Sequence, residues 1–171
     1  MLDCTLKIIS PEQQATTETF SQTLEKSHWR GAQNLHGLWQ SKYHNGFLPK
    51  RRDFHLSEMT SLLGMMMITE IQDDQDHLYA RLIGTGLCQL LGRNLTNQNI
   101  SEQSEIVHLI PYLRQTIETK TPAFEDVIPL YVDNKADLYC KLYSCPILSN
   151  DGKKTLSLTI LKTFQVPVTQ P

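Results

Sequence analysis

The sequence predicts an α+β fold: a five-stranded antiparallel sheet with helices on one face, plus an N-terminal helical extension. Three observations carry this. Apolar residues recur at spacings of three and four in the first third and again in the middle, as in amphipathic helices. Residues alternate in facing pairs around 78–83, 138–143 and 156–161, as in strands. Two polar links, Asp73-Asp74-Gln75-Asp76 and Asn150-Asp151-Gly152, join strand-like segments as hairpins, and hairpins argue for antiparallel pairing.

Taken in order, Leu6-Lys7-Ile8-Ile9 is an apolar patch ended by Ser10-Pro11, read as a short edge strand or a loose arm. Phe20, Leu24 and Trp29 share a helical face, and Leu35, Leu38, Trp39 and Tyr43 continue the stripe, with Gly31 as the expected divide between two helices. Asn45-Gly46 marks a turn, and Pro49 forces the chain out of the helix. Ser57 is an expected N-cap for a short helix. The first strand is expected at 65–71 and the second at 77–83. Alternation places Leu78, Ala80 and Leu82 on one face, with Tyr79, Arg81 and Ile83 on the other.

After Gly84-Thr85-Gly86 bends the chain, Leu87, Leu90 and Leu91 make a helical turn stopped by Gly92. Ser101 is expected to cap a helix with the stripe Ile106, Leu109, Ile110, Leu113 and Ile117. Pro111 should kink or restart it. Ala123–Val132 reads as a strand whose Pro129 requires an edge position or a bulge. Two further strands flank the Asp-Gly turn, and the tail beyond Phe164 is expected to fray.

Composition narrows the function. The 171 residues carry 16 Lys+Arg against 18 Asp+Glu, a formal charge of −2, so no basic field gathers nucleic acid. No stretch approaches the ~20 apolar residues that span a bilayer, and the first residues lack a signal peptide's apolar core. Cytoplasmic placement is the expectation, with neither nucleic acid nor membrane as a partner. Cys4, Cys88, Cys140 and Cys145 form no C-x-x-C pair and are read as free thiols. Asp73, Asp74 and Asp76 lack calcium-loop spacing, so no metal is assigned. No nucleophile elbow, zinc helix or phosphate loop is present, and no catalytic residue is assigned.

Four stretches add a resemblance. Leu48-Pro49-Lys50-Arg51-Arg52-Asp53-Phe54 is similar to an "LPxRxDF" motif, and Tyr79-Ala80-Arg81-Leu82-Ile83-Gly84-Thr85 to "yRlvGT". Gly92-Arg93-Asn94-Leu95-Thr96 resembles "GrdlTG", with Asn97 where Gly is typical, and Pro146–Gly152 resembles "PLsxDG". In this order they resemble a family of short stand-alone bacterial PAS-like proteins, from about Leu35 to Phe164. The resemblance implies a five-stranded sheet cupped over a small cavity, a sensing or interaction role and no catalytic set. It leaves the cofactor unknown. With residues 1–33 read as arm and helix, 34–165 as the PAS-like domain and 166–171 as a tail, no output domain fits, so the output is expected to be a signalling protein partner or self-association.

The candidate cavity residues are Met67, Leu82, Leu91, Ile110, Leu113, Leu142 and Leu158, with Tyr79 and Arg81 as polar contacts for a small apolar or carboxylate ligand. Arg52 and Asp53 are read as a structural ion pair. Phe20, Leu24 and Trp29 are read as a homodimer interface, because a short helix needs a surface for its stripe. Flavin and haem are not expected. Gly86-Leu87-Cys88-Gln89 lacks the Asn and Arg that flank the reactive Cys in LOV-type PAS domains, and His108 beside Pro111 is read as an ordinary half-exposed histidine. Two alternatives stand beside the sensor. One is a cone-shaped isomerase or dehydratase using Asp126 or Asp137 with Tyr139; the other is an adaptor with a filled core.

Overall fold

A computed structural model describes residues 11–72 and 77–166. Helices α1 (Pro11–Lys26) and α2 (Arg30–Lys42) lead into strands β1 (Met66–Gln72) and β2 (His77–Ile83). Helices α3 (Thr85–Leu91) and α4 (Ile110–Thr119) precede β3 (Ala123–Pro129), β4 (Leu138–Leu148) and β5 (Thr155–Gln165). The five strands form one sheet in the order β2-β1-β5-β4-β3, with every neighbouring pair antiparallel. The expected order of helices, two strands, helices and three strands therefore holds. The patch at 6–9, Cys4, the acidic link at 73–76 and the tail from residue 167 lie outside the described residues. No described helix is long and apolar enough to cross a membrane.

Local chemistry explains the boundaries. The break between α1 and α2 falls at Ser27–Trp29, where His28 takes a φ of 52° and the Ser27 hydroxyl accepts the Trp29 N–H at 3.2 Å. Gly31, the expected divide, sits instead in the first turn of α2. The short helix expected at Ser57 is a single 3-10 turn, Leu56–Glu58. Gly92 ends α3 in the left-handed region at φ 70°. Pro111 stands in the first turn of α4, where its missing N–H costs nothing, and a 3-10 turn, Ser104–Leu109, precedes it. β3 is an edge strand that ends on Pro129 and carries a register shift between Glu125 and Ile128, as its proline demanded.

Both faces of the sheet are buried. On the inner face Met67, Leu78, Ala80, Cys140, Leu142 and Leu161 pack under α3, α4 and the segment between them. On the outer face Met66, Ile68, Tyr143, Cys145, Leu156 and Leu158 pack under α1 and α2. The N-terminal extension is thus a third layer. Leu24, Trp29, Ala32, Leu35 and Trp39 are all buried within the chain. Each large apolar side chain so buried contributes about 1.5–3 kcal/mol, far more than the marginal stability of an isolated short helix.

This corrects the assignment of Phe20, Leu24 and Trp29 to a dimer interface. Leu24 and Trp29 are buried in the cluster that α2 and the outer face of the sheet share within the chain, and Phe20 packs against the same cluster. The argument that the stripe needed a second copy falls away, because α2 and the outer face of the sheet supply its surface.

The third layer also alters what alternation means. In β5, Leu156, Leu158 and Ile160 face α1 and α2, whereas Ser157, Thr159 and Leu161 face inward. Leu158 therefore belongs to the outer core. In β2 a bulge intervenes: Leu82 pairs with Ile68 and Ala80 with Thr69, which leaves Arg81 unpaired. Leu78 and Ala80 face inward, but Leu82 joins the outer cluster. Tyr79 stands opposite Glu70 on the outer face, so Tyr79 and Arg81 are not inner contacts either.

Candidate functional site

The inner face carries a feature that hydropathy alone hides. Thr69, Ser144, Ser157 and Thr159 lie on three adjacent central strands and are fully buried. Thr69 Oγ1 and Ser157 Oγ are 2.5 Å apart, Ser144 Oγ and Thr159 Oγ1 2.8 Å, and the Thr159 hydroxyl donates to Ser157 Oγ at 3.4 Å. The four form a hydroxyl ladder across the sheet. Buried hydroxyls need partners, and here each finds one on the neighbouring strand. Of the predicted cavity residues, Met67, Leu91, Ile110, Leu113 and Leu142 belong to the cluster on this face, whereas Leu82, Leu158, Tyr79 and Arg81 do not. The ladder can offer or accept hydrogen bonds but carries no titratable group, so its chemistry is that of binding.

The opposite face holds α2 by two polar contacts. His36 Nδ1 lies 2.8 Å from the Tyr143 hydroxyl, and the Trp39 indole N–H donates to the Pro146 carbonyl at 2.7 Å. His36 is 7% exposed, and its Nε2 is buried without a partner. Phe20, Trp39 and Tyr143 surround its ring. Burial pushes the His36 pKa down and the Tyr143 hydroxyl well up. Neighbouring Cys145 is pushed up by the same desolvation, and on the inner face Cys140 rises to about 12, so neither thiol is a nucleophile at neutral pH. Tyr143 and Ser144 are adjacent in β4 and point to opposite faces. One holds α2; the other belongs to the ladder.

The motif residues prove largely architectural. The Leu148 N–H donates to the Pro49 carbonyl at 2.8 Å, and the Arg52 N–H to Asn150 Oδ1 at 3.0 Å, so the segments 48–54 and 146–152 clasp each other. Asp53 is not paired with Arg52: its Oδ2 accepts the Lys50 N–H at 2.7 Å and caps the 3-10 turn Arg51–Asp53. One ion pair on the outer face joins Arg81 to buried Glu70, with Lys154 at 3.7 Å from the same carboxylate. Gly84 is required because a Cβ there would lie 2.1 Å from the Leu63 carbonyl oxygen. Asn97, which replaces a typical Gly, adopts φ 61° and donates its N–H to the Ala80 carbonyl at 2.6 Å. Asparagine tolerates this region better than other side chains, so the departure keeps the turn.

The enzyme residues are scattered. Asp126 pairs with Lys141 at 2.5 Å, and exposed Asp137 lies in a left-handed turn at the rim of an open cleft of about 740 Å³ formed by residues 129–139. Tyr139 stacks on Phe164. Neither carboxylate is deep in a pocket. His108 is exposed beside Tyr131, away from the inner cluster, and the Cys88 thiol rests 3.9 Å from the Ile83 carbonyl.

The family model described as PAS domain matches residues 28–158. The chain belongs to the PAS domain family. The match includes α2 and all four motif segments, and it makes the sheet and its helices those of a PAS domain. Similar solved structures include a sensory box sensor histidine kinase from Vibrio cholerae, at 14% identity over 66% of this chain and 90% of that one, with a TM-score of 0.43. Another is the LOV domain of the blue-light activated histidine kinase EL346 from Erythrobacter litoralis, at 16% identity over 59% and 95%, with a TM-score of 0.43. The dark structure of the blue-light photoreceptor Aureochrome1 LOV matches at 10% identity over 67% and 85%, with a TM-score of 0.45. No curated protein matches the chain.

His36 and the hydroxyl ladder were not found from sequence. Ser157 and Thr159 alternate with leucines and so read as a solvent face. The available signal was the pair of apolar stripes at both ends of the N-terminal region, which together require a second core.

Proposed function

We propose that this PAS domain is a sensor whose inner face takes a small molecule with an apolar body and one or two hydroxyl or carbonyl groups. Its output is the hold of β4 on α2, read by a signalling protein partner or a second copy. The observation that carries this is the adjacency of Ser144 and Tyr143. A shift of β4 that serves the ladder displaces the hydroxyl bonded to His36. Because Arg81 is spent on Glu70 on the outer face, the polar end of such a ligand meets hydroxyls rather than a guanidinium. Free thiols at Cys88, Cys140 and Cys145 accord with a reducing compartment, in keeping with action in the cytoplasm.

The test combines native mass spectrometry and an absorption spectrum of the purified chain with hydrogen exchange of α2 in Ser144→Ala. A co-purifying mass, together with faster α2 exchange in the variant, is expected. A bare chain with α2 exchange unchanged by the substitution would sink the reading. The adaptor alternative draws on one observation, that the ladder hydroxyls already bond to one another. A bare mass with accelerated α2 exchange would move the reading to that alternative.

A further inference from the structure

The clasp gathers charge that the sequence keeps apart. In segments 42–58 and 149–155, Lys42, Lys50, Arg51, Arg52, Lys153 and Lys154 stand against Asp53, Glu58 and Asp151. In a chain of formal charge −2, this end is basic. Glu58 is paired with Lys42 at 3.0 Å, whereas Asp53 and Asp151 stay charged, Asp53 accepting the Lys50 N–H and Asp151 the Ser149 hydroxyl at 2.5 Å and the Lys153 N–H at 3.0 Å; six cations against three acids still leave this end basic. Among the described residues, no acid lies within ion-pair distance of Lys50, Arg51, Arg52 or Lys153. The two rows are close in space, since a Cβ on Gly152 would lie 3.6 Å from Lys50 Nζ.

Apolar side chains project from the same end. Asn45 and Gly46 at φ 52° and 80° form a tight turn in which the Phe47 N–H donates to the His44 carbonyl at 2.8 Å. The turn presents Phe47 at 75% exposure, and Leu56 is 66% exposed. Lys42, at the end of α2 five residues before Phe47, is paired with Glu58 of the turn Leu56–Glu58, and its ammonium lies 5.7 Å from the Phe54 ring centroid, so the stretches that carry Phe47 and Leu56 are joined.

We propose that this end docks on an anionic membrane surface. Phe47 and Leu56 enter the headgroup region, while Lys50, Arg51, Arg52 and Lys153 meet lipid phosphates and carboxylates. Two weak signals are needed for stable attachment without a spanning helix, and this surface supplies both. An acidic protein segment would use the cations but leave the presented phenyl ring without a role. The expectation of no membrane partner rested on the lack of a spanning stretch, which this mode does not use.

The full chain is sedimented with vesicles of equal parts phosphatidylserine and phosphatidylcholine, and with vesicles of phosphatidylcholine alone. Binding to the first only, falling as salt rises, is expected. Arg51→Gln with Arg52→Gln lowers partitioning roughly 25-fold, at about fivefold per cation. Phe47→Ser lowers it at every salt concentration and leaves the salt slope unchanged. Lys120→Gln with Lys135→Gln, outside the two segments, has no effect. All five altered residues are exposed, and circular dichroism with thermal unfolding checks that each of the three variants is folded. Equal partitioning onto both vesicle types overturns the proposal, as does binding unaltered by the Arg51 and Arg52 changes. Tighter binding to DNA or to an acidic peptide, indifferent to Phe47→Ser, overturns it by naming another occupant.

Discussion

His36 concentrates the energetics of the outer layer in one ring. It is buried, bonded through one nitrogen to Tyr143 and unpartnered at the other, and burial holds its pKa below the ordinary value of about 6.5. The unfolded chain takes up a proton there as pH falls through about 6.5, while the folded chain resists. The associated stability is therefore fully present above about pH 6.5 and is lost as pH falls toward and through the lower folded value. A thermal midpoint that declines below about pH 6.5, with a shallower decline in His36→Gln, is expected in scanning calorimetry. Tyr143→Phe removes the ring's one partner and costs about 1–3 kcal/mol in urea unfolding. Nothing in the sequence distinguished His36 from the five other histidines, because its role depends on a tyrosine 107 positions away.

At the scale of elements, most of the order was legible and the phase of two strands was not. β2 spans the predicted 77–83, α3 stops at the predicted Gly92, and Pro111 restarts its helix as expected. These follow from local chemistry that a sequence displays: missing N–H groups, left-handed glycines and turn residues. The facing of Leu82 and Leu158 depends on a bulge and on a third layer, which are tertiary facts. The two irregular turns make contrasting predictions. Gly84→Ala forces a methyl into the Leu63 carbonyl, and a loss of more than about 3 kcal/mol or failure to fold is expected, measured by expression and denaturant midpoint. Asn97→Gly relieves a left-handed φ while loosening the unfolded chain, so its midpoint should stay within about 1 kcal/mol of the parent.

Across the whole molecule, the sheet is the middle of three layers. The sequence shows two amphipathic N-terminal stripes; the resemblance begins at about Leu35, and the stripe outside it, Phe20, Leu24 and Trp29, is the one read as facing a second copy. The nearer surface was the chain's own, and intramolecular packing avoids the entropy of association. A chain lacking residues 1–42 should therefore expose Tyr143, Ile147 and Leu158, bind a hydrophobic dye and self-associate. Light scattering and dye fluorescence of the truncated and full chains check this. A truncated chain that stays monomeric and dye-silent would return α1 and α2 to the role of a detachable interface.

The bulge at Arg81 bears on how this fold can change over time. The extra residue shifts the strand's phase, so that Leu82, two places after Ala80, faces the other core. Deleting Arg81 would leave the remaining pairs of β2 with β1 intact: Leu82 would follow Ala80 directly and still stand opposite Ile68, on its own face. What would go is the guanidinium paired with buried Glu70, which would leave that carboxylate to Lys154 alone. Length at this position is therefore set by one buried carboxylate and not by the packing of either core.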